Sequence, residues 1–347
     1  MKRIISFCVF SAVFIFIFIC ISYLLRPVSD MRIRYHAYFA EEPGTLDVVA
    51  LGSSQTAASW APYYAYEESG TVSYTVGFDG LNYLSVDNVI KELYKCQKPR
   101  LLIIDLSPFQ RDSTESTEVR VRRVTDSMPY NLNRMELVCD SGEVIENNSP
   151  DNMLSMYLDI MKYHDEWKHI GTESFYNLHY SNRKSTTKGF EMIRKPPVTL
   201  SDEVFTDYAV RTDLPRQVED NLIQLLDFLR ANEQETLFVV VPQEDSQERR
   251  GLYNSISDIV ESYGFRYMNL CDYSKDMGID YSCDFKDKRH MLITGAEKYT
   301  RYLSRFIHDN YDIPDRRTDE RYSDWIIGDE KWNKEAGELK ESLSELE

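Results

Sequence analysis

Between Asp47 and Phe306, short apolar runs alternate with stretches of helical periodicity, and that alternation most narrows the folds open to this chain. Asp47 to Leu51, Leu101 to Leu106 and Leu237 to Val241 are nearly continuous apolar runs, the last two stopping at Ser107-Pro108 and Pro242. Val72, Tyr74 and Val76 alternate with polar neighbours and end at Gly77; Phe265 to Leu270 is a weaker fifth run. Runs of this length bounded by turn residues read as strands. Between them, Val86, Val89, Ile90 and Leu93 recur at helical steps behind Ser85, a capping residue type. The same spacing joins Leu222, Leu225, Leu226 and Leu229; Leu252, Ile256, Ile259 and Val260; and Ala296, Tyr299, Leu303 and Phe306. Strand and helix in alternation imply parallel pairing with helices on both faces of one sheet. The expected fold class is therefore α/β, a doubly wound three-layer sandwich built on a parallel sheet.

The N-terminus adds a membrane element. Ile4 to Leu25 carries no charge and is rich in Ile, Phe and Val, with Lys2 and Arg3 before it and Arg26 after it. At about 1.5 Å per residue this run crosses a hydrocarbon layer of roughly 30 Å. A cleaved signal peptide would have a shorter apolar region and small residues at its end, whereas this run ends Tyr23-Leu24-Leu25-Arg26. The expectation is one uncleaved transmembrane helix over 1–25. Arg32 and Arg34 join Arg26 in balancing Lys2 and Arg3, so charge alone does not orient it. The short N-terminal flank favours a signal-anchor with an exported body.

A chain of 347 residues is long enough for one large domain or two small ones. A polar connector, 26–43, leads into an α/β domain over 44–311. The alternation breaks from Arg111 to about Leu200, a Met-, Tyr- and Asn-rich insertion between the third and fourth strands. It holds one helix from Asn152 to Trp167, with Leu154, Leu158 and Met161 on a shared face. Its expected place is over the carboxyl edge of the sheet, as a lid or substrate wall. Residues 312–347 read as a solvated acidic tail ending in a loose helix. The net charge of −17 argues against nucleic acid, whose phosphates require a cationic face. Outside the anchor, Cys96, Cys139, Cys271 and Cys283 show no zinc-type spacing and are either buried thiols or disulfides. No metal or cofactor is expected. His164 reads as a structural histidine, and Glu41-Glu42 and Glu67-Glu68 as solvated faces.

Two distant segments carry the chemistry. The first strand stops at Gly52-Ser53-Ser54-Gln55, which places a hydroxyl at the carboxyl end of a sheet, where ligands of open α/β folds bind. Asp287-Lys288-Arg289-His290 supplies a base and its orienter ahead of the last amphipathic stretch. Ser54 as nucleophile, His290 as base and Asp287 as orienter make a serine nucleophile site. Asp284 is the competing orienter. The Ser54 N–H serves as an oxyanion donor, and Gly80 supplies a second, since glycine lets the main chain approach a ligand.

These segments resemble the SGNH/GDSL hydrolase superfamily over most of Asp47 to His308. Gly52-Ser53-Ser54-Gln55 is similar to its nucleophile block, with Ser53 where Asp is usual; Gly80 matches the second-block glycine; Asp287 to His290, followed by Gly295-Ala296, matches the last block. The chain looks most like a membrane-anchored bacterial branch related to the D-alanyl transfer protein of teichoic acid synthesis. Tyr163-His164-Asp165-Glu166-Trp167 and Lys188-Gly189-Phe190 are similar to segments of that branch. The resemblance implies a flavodoxin-like sandwich at the cell membrane, its body extracytoplasmic, acting as a serine acyltransferase or esterase. It also implies a cell-surface polysaccharide or teichoic-acid-like polymer as substrate, and a membrane-bound O-acyltransferase as partner. The alternative is a non-catalytic scaffold of the same fold that binds a polymer or docks that acyltransferase. The third block departs from the pattern: Asp105-Leu106-Ser107-Pro108 has no Asn, and Leu292 stands where Asn is frequent. Losing one oxyanion donor costs about 2.7–4 kcal/mol in rate, so Asn82 or a loop amide is expected to replace it, or the enzyme to be slow on simple esters.

Overall fold

A computed structural model describes residues 1–110, 117–178 and 183–345. The apolar runs form one parallel sheet of β1 (Val48–Ser53), β2 (Ser73–Phe78), β3 (Leu101–Asp105), β4 (Thr236–Val240) and β5 (Arg266–Asn269), in the order β2-β1-β3-β4-β5. Val48 pairs with Ser73 on one side and with Leu101 on the other, so β1 is where the strand order reverses. Every residue of β1 to β4 is buried. That explains the continuous apolar text, because parallel strands covered on both faces have no side left for polar residues. The alternation in β2 has another cause. Ser73 and Thr75 are buried and bonded to the chain that follows β1: Trp60 Nε1 donates to Ser73 Oγ at 3.0 Å and Thr75 Oγ1 to the Trp60 carbonyl at 2.6 Å.

Before the sheet come α1 (Lys2–Leu25) and α2 (Asp30–Tyr38). α1 is long and apolar enough to cross a membrane. The connector is not a loose tether. Ser29 caps α2, whose Tyr35 and Tyr38 are buried, their rings 4.8 Å from Phe78 and 5.4 Å from Tyr74. α3 (Ser54–Ala57) and α4 (Pro62–Ser69) link β1 to β2, and α5 (Val86–Leu93) links β2 to β3. Ser85 does not cap α5 with its side chain; Asn82 caps a 3-10 turn, Tyr83–Ser85, that leads into it.

In the insertion, whose stretches 111–116 and 179–182 lie outside the described residues, are α6 (Thr117–Thr125), α7 (Leu132–Ser141), α8 (Pro150–Tyr157) and α9 (Asp159–Tyr163). The single helix expected over Asn152–Trp167 is broken at Leu158, which takes extended dihedrals, and Leu154 and Met161 are exposed. The cause is tertiary. Asp159 is fully buried against the guanidinium groups of Arg26 and Arg134, and reaching them turns the chain out of helical register. Arg26 also donates to the Met128 carbonyl, Asn177 to the Arg26 carbonyl, and the Tyr130 N–H to Tyr23 Oη, each at 2.9 Å. The insertion thus grips the exit of α1. Its far end laces the free edge of β2: Thr75 N–H donates to the Lys188 carbonyl, and a side chain at Gly189 would collide with the Thr75 carbonyl. Lys188 is buried in an ion pair with Glu41 at 2.9 Å, so Glu41 belongs to the interior and not to a solvated face.

α10 (Arg216–Ala231), α11 (Gln247–Ser262), α12 (Ser274–Met277) and α13 (Ile293–Asn310) complete the main body, burying the leucine and isoleucine stripes read from the sequence. The last segment overturns the expectation of a solvated tail. In α14 (Ser323–Ser344), Trp325, Trp332, Ala336, Leu339 and Leu343 are buried. The Trp332 ring lies 5.8, 5.2 and 5.5 Å from those of Tyr63, Tyr64 and Phe190. Most of the charge on that helix lies on its outer face. Glu67 and Glu68, on α4, are likewise paired with Arg301.

Candidate active site

β1 runs into α3 with almost no turn, and two glycines make that possible. Gly52 and Gly77 are partners across β1 and β2. A Cβ on Gly52 would fall 2.7 Å from Asp105 Cβ, and one on Gly77 would fall 2.5 Å from Ala57 Cβ. Without side chains, the strands let α3 settle over their ends, and Ser54 stands at its first position. There the helix itself offers its N–H no acceptor.

The base arrives on a hairpin. An isolated antiparallel bridge joins Phe285 to Met291, and the Lys286 N–H donates to the His290 carbonyl at 3.0 Å. At the tip, Asp287 Oδ1 accepts from the Arg289 N–H at 2.9 Å and the His290 N–H at 3.1 Å. The same carboxylate meets His290 Nδ1 at 2.8 and 2.9 Å. On the opposite side of the ring, Nε2 is 2.8 Å from Ser54 Oγ. Partial burial opposes ionisation of Asp287, but the His290 ring and the Arg289 N–H outweigh it and hold the carboxyl well below the usual range. A carboxylate on Nδ1 assigns the proton to that nitrogen, which leaves Nε2 to accept from the serine. The hairpin is tied down on several sides. Glu244 N–H donates to the Lys288 carbonyl at 2.9 Å, Val198 N–H to the Phe285 carbonyl at 2.8 Å, and Gln55 Nε2 reaches the Arg289 carbonyl at 3.4 Å.

The structure therefore brings Ser54, His290 and Asp287 together from positions 236 residues apart. Asp284, the competing orienter, is fully buried elsewhere, accepting from the Asp280 N–H and from Lys298, each at 2.7 Å. Gly80 lies in the turn after β2, closed by Leu81 N–H donating to the Phe78 carbonyl at 3.0 Å, with φ of +65°. Since Phe78 is the partner of Ser53, that turn emerges at the same end of the sheet as Ser54. The Asn82 side chain is committed to its cap through Oδ1, which accepts from the Leu84 N–H at 3.0 Å.

Sequence reasoning did not find the polar group beneath the nucleophile turn. Asp105, at the end of β3, is buried and accepts from Ser107 N–H and Thr56 Oγ1, each at 3.1 Å, and from the Ser107 hydroxyl. Ser107 Oγ in turn lies 2.7 Å from Ser53 Oγ. Burial pushes the Asp105 carboxyl up, with these donors opposing it. A buried acid must be matched by donors, and here they come from Ser107 and from Thr56, two residues past Ser54. A carboxylate closing an apolar central strand was the available signal. Ser107 is part of this brace.

A hydroxyl, an imidazole and a carboxylate in one hydrogen-bonded series can move a proton off the serine as it attacks a carbonyl. No family model matches the chain, and no curated protein matches it.

Proposed function

We propose that this protein is a membrane-anchored serine acyltransferase or esterase that acts on ester-linked acyl groups of cell-surface glycopolymers. The observation that carries the reading is the 2.8 Å contact of Ser54 Oγ with His290 Nε2, backed by Asp287 on Nδ1. Ser54 attacks the acyl carbonyl and His290 takes its proton. The oxyanion is held by the N–H groups of Ser54 and Gly80. His290 returns the proton to the departing alcohol, leaving an acyl-enzyme. A sugar hydroxyl then accepts the acyl group, or water does in an esterase. The order β2-β1-β3-β4-β5, with Ser54 at the reversal point, supports a doubly wound SGNH-type sandwich.

The same reading makes α1 a single-pass anchor in the cell membrane with the body on the extracytoplasmic side. Anchoring raises the local concentration of the enzyme at its polymer, and beside a membrane-bound O-acyltransferase that supplies the acyl group. A fluorophosphonate probe tests the core of the proposal: it should label the wild-type protein at Ser54 and leave Ser54→Ala unlabelled. If wild type resists the probe while remaining folded, the non-catalytic scaffold replaces this reading.

A further inference from the structure

The insertion closes around α1 at one level only, and that level is where a bilayer surface would lie. α1 is exposed along most of its length up to Ile17, half-buried at Phe18 to Cys20, and buried at Ser22 and Leu25. A hydrocarbon layer takes about 20 helical residues. Counted from Ile4, the first residue past Lys2 and Arg3, that length ends near Tyr23. The turns of α1 that the insertion covers are therefore those nearest the edge of the hydrocarbon.

What covers them is α9, the 3-10 turns His164–His169 and Thr172–Leu178, and Tyr130, whose ring is 5.4 Å from that of Tyr23. These same elements leave large apolar side chains uncovered. Trp167 is 62% exposed, Phe175 54%, Met161 48% and Ile170 40%, and Leu132, two residues past Tyr130, is 84% exposed. Single exposed apolar residues are ordinary on a soluble surface, but a group of them around one helix exit is not. Tryptophan and tyrosine favour the headgroup level of a membrane, where an apolar ring body and a polar edge are both satisfied. Lys168 Nζ, 5.7 Å from the centre of the Trp167 ring, places a cation beside it.

We infer that this face is a membrane-interface collar: Trp167, Ile170 and Phe175 sit in the interfacial layer of the bilayer that α1 crosses. The inference rests on α1 being a membrane span and is independent of the chemistry at Ser54. α9 and both 3-10 turns that carry these side chains pack against α1 itself, so the collar adjoins the apolar span, which points to lipid as the occupant. The body then has two attachments to the membrane, so its site is held at one height and cannot swing on a tether.

Trp167 supplies the assay, because Trp60, Trp325 and Trp332 are only 1–3% exposed. The full chain is reconstituted into phosphatidylcholine–phosphatidylglycerol vesicles. Lipids brominated high on the acyl chain should quench part of the emission, lipids brominated near the methyl end should quench less, and Trp167→Phe should lose the quenched part. Equal quenching of wild type and Trp167→Phe overturns the collar. So does a Trp167 that acrylamide quenches equally with and without vesicles, the result expected if the face were kept for a membrane-protein partner. Flotation of the same vesicles separates the two failures: a chain that does not float has lost the span as well, and one that floats with Trp167 unquenched has lost the collar alone.

Discussion

Asp287→Asn tests the proposed mechanism with the least disturbance of shape. The amide oxygen can still accept from the Arg289 and His290 N–H groups, which bond Oδ1, so the hairpin keeps its turn. What is lost is the negative charge beside the ring as His290 becomes an imidazolium. Unit charges about 4 Å apart interact by about 1 kcal/mol in water and about 4 kcal/mol near a protein surface. The Asp287 side chain is 47% exposed, which puts the site between those limits. A loss of about 2–3 kcal/mol corresponds to about 30- to 160-fold in rate. The amide N–H also faces Nδ1 and favours the tautomer in which Nε2 carries a proton toward Ser54, which adds to the loss. The measurement is the second-order rate of fluorophosphonate labelling at Ser54, beside a melting curve. A fall of less than about 5-fold with unchanged melting refutes the reasoning, because so small a change, about 1 kcal/mol, means His290 gains no charge against Asp287.

Trp332→Ala should destabilise the chain by about 3–5 kcal/mol in denaturant unfolding. Trp332→Phe should cost less, since the indole N–H is buried without a partner among the described residues; an Ala variant that unfolds like wild type would mean α14 is not docked. Asp329, pushed up to about 7 by burial and by the Glu67 carboxyl, keeps a proton in the folded state that the unfolded chain has released. Because the native state binds the extra proton, stability from this group declines as pH rises from about 4 to about 7. Asp329→Asn should raise the melting temperature near pH 8, with the gain fading toward about pH 5. Solvent screening of this half-exposed group limits the gain to about 1 kcal/mol; no gain near pH 8 would remove the carboxyl pair from the account.

The sheet was legible because its inner strands are apolar on both faces, and the Ser54, His290 and Asp287 set because each half is a compact local pattern. Where sequence reasoning stopped, the deciding partner was distant. Nothing near Asp159 announces that Arg26 and Arg134 will draw it out of a helix. Asp105 lies on a different strand from Ser53, so the brace exists only once β1 and β3 are paired through the sheet. The tail was hidden by composition: its buried residues are well spaced for one helix face, but abundant charge on the other face drew the eye to solvent. Asn82 and Ser85 are both capping types three positions apart, and only the extra 3-10 turn decides between them.

Arg26 also bears on where the protein can be cut to free it from detergent. A fragment beginning after Val28 would strip Asp159 of one of its two guanidinium partners and leave the Met128 carbonyl and the Asn177 amide without the groups they bond. Breaking a buried ion pair by deleting one side costs about 3–5 kcal/mol. A fragment beginning at Arg26 retains all three bonds, so a difference of a few residues at the start decides whether the excised body keeps its floor.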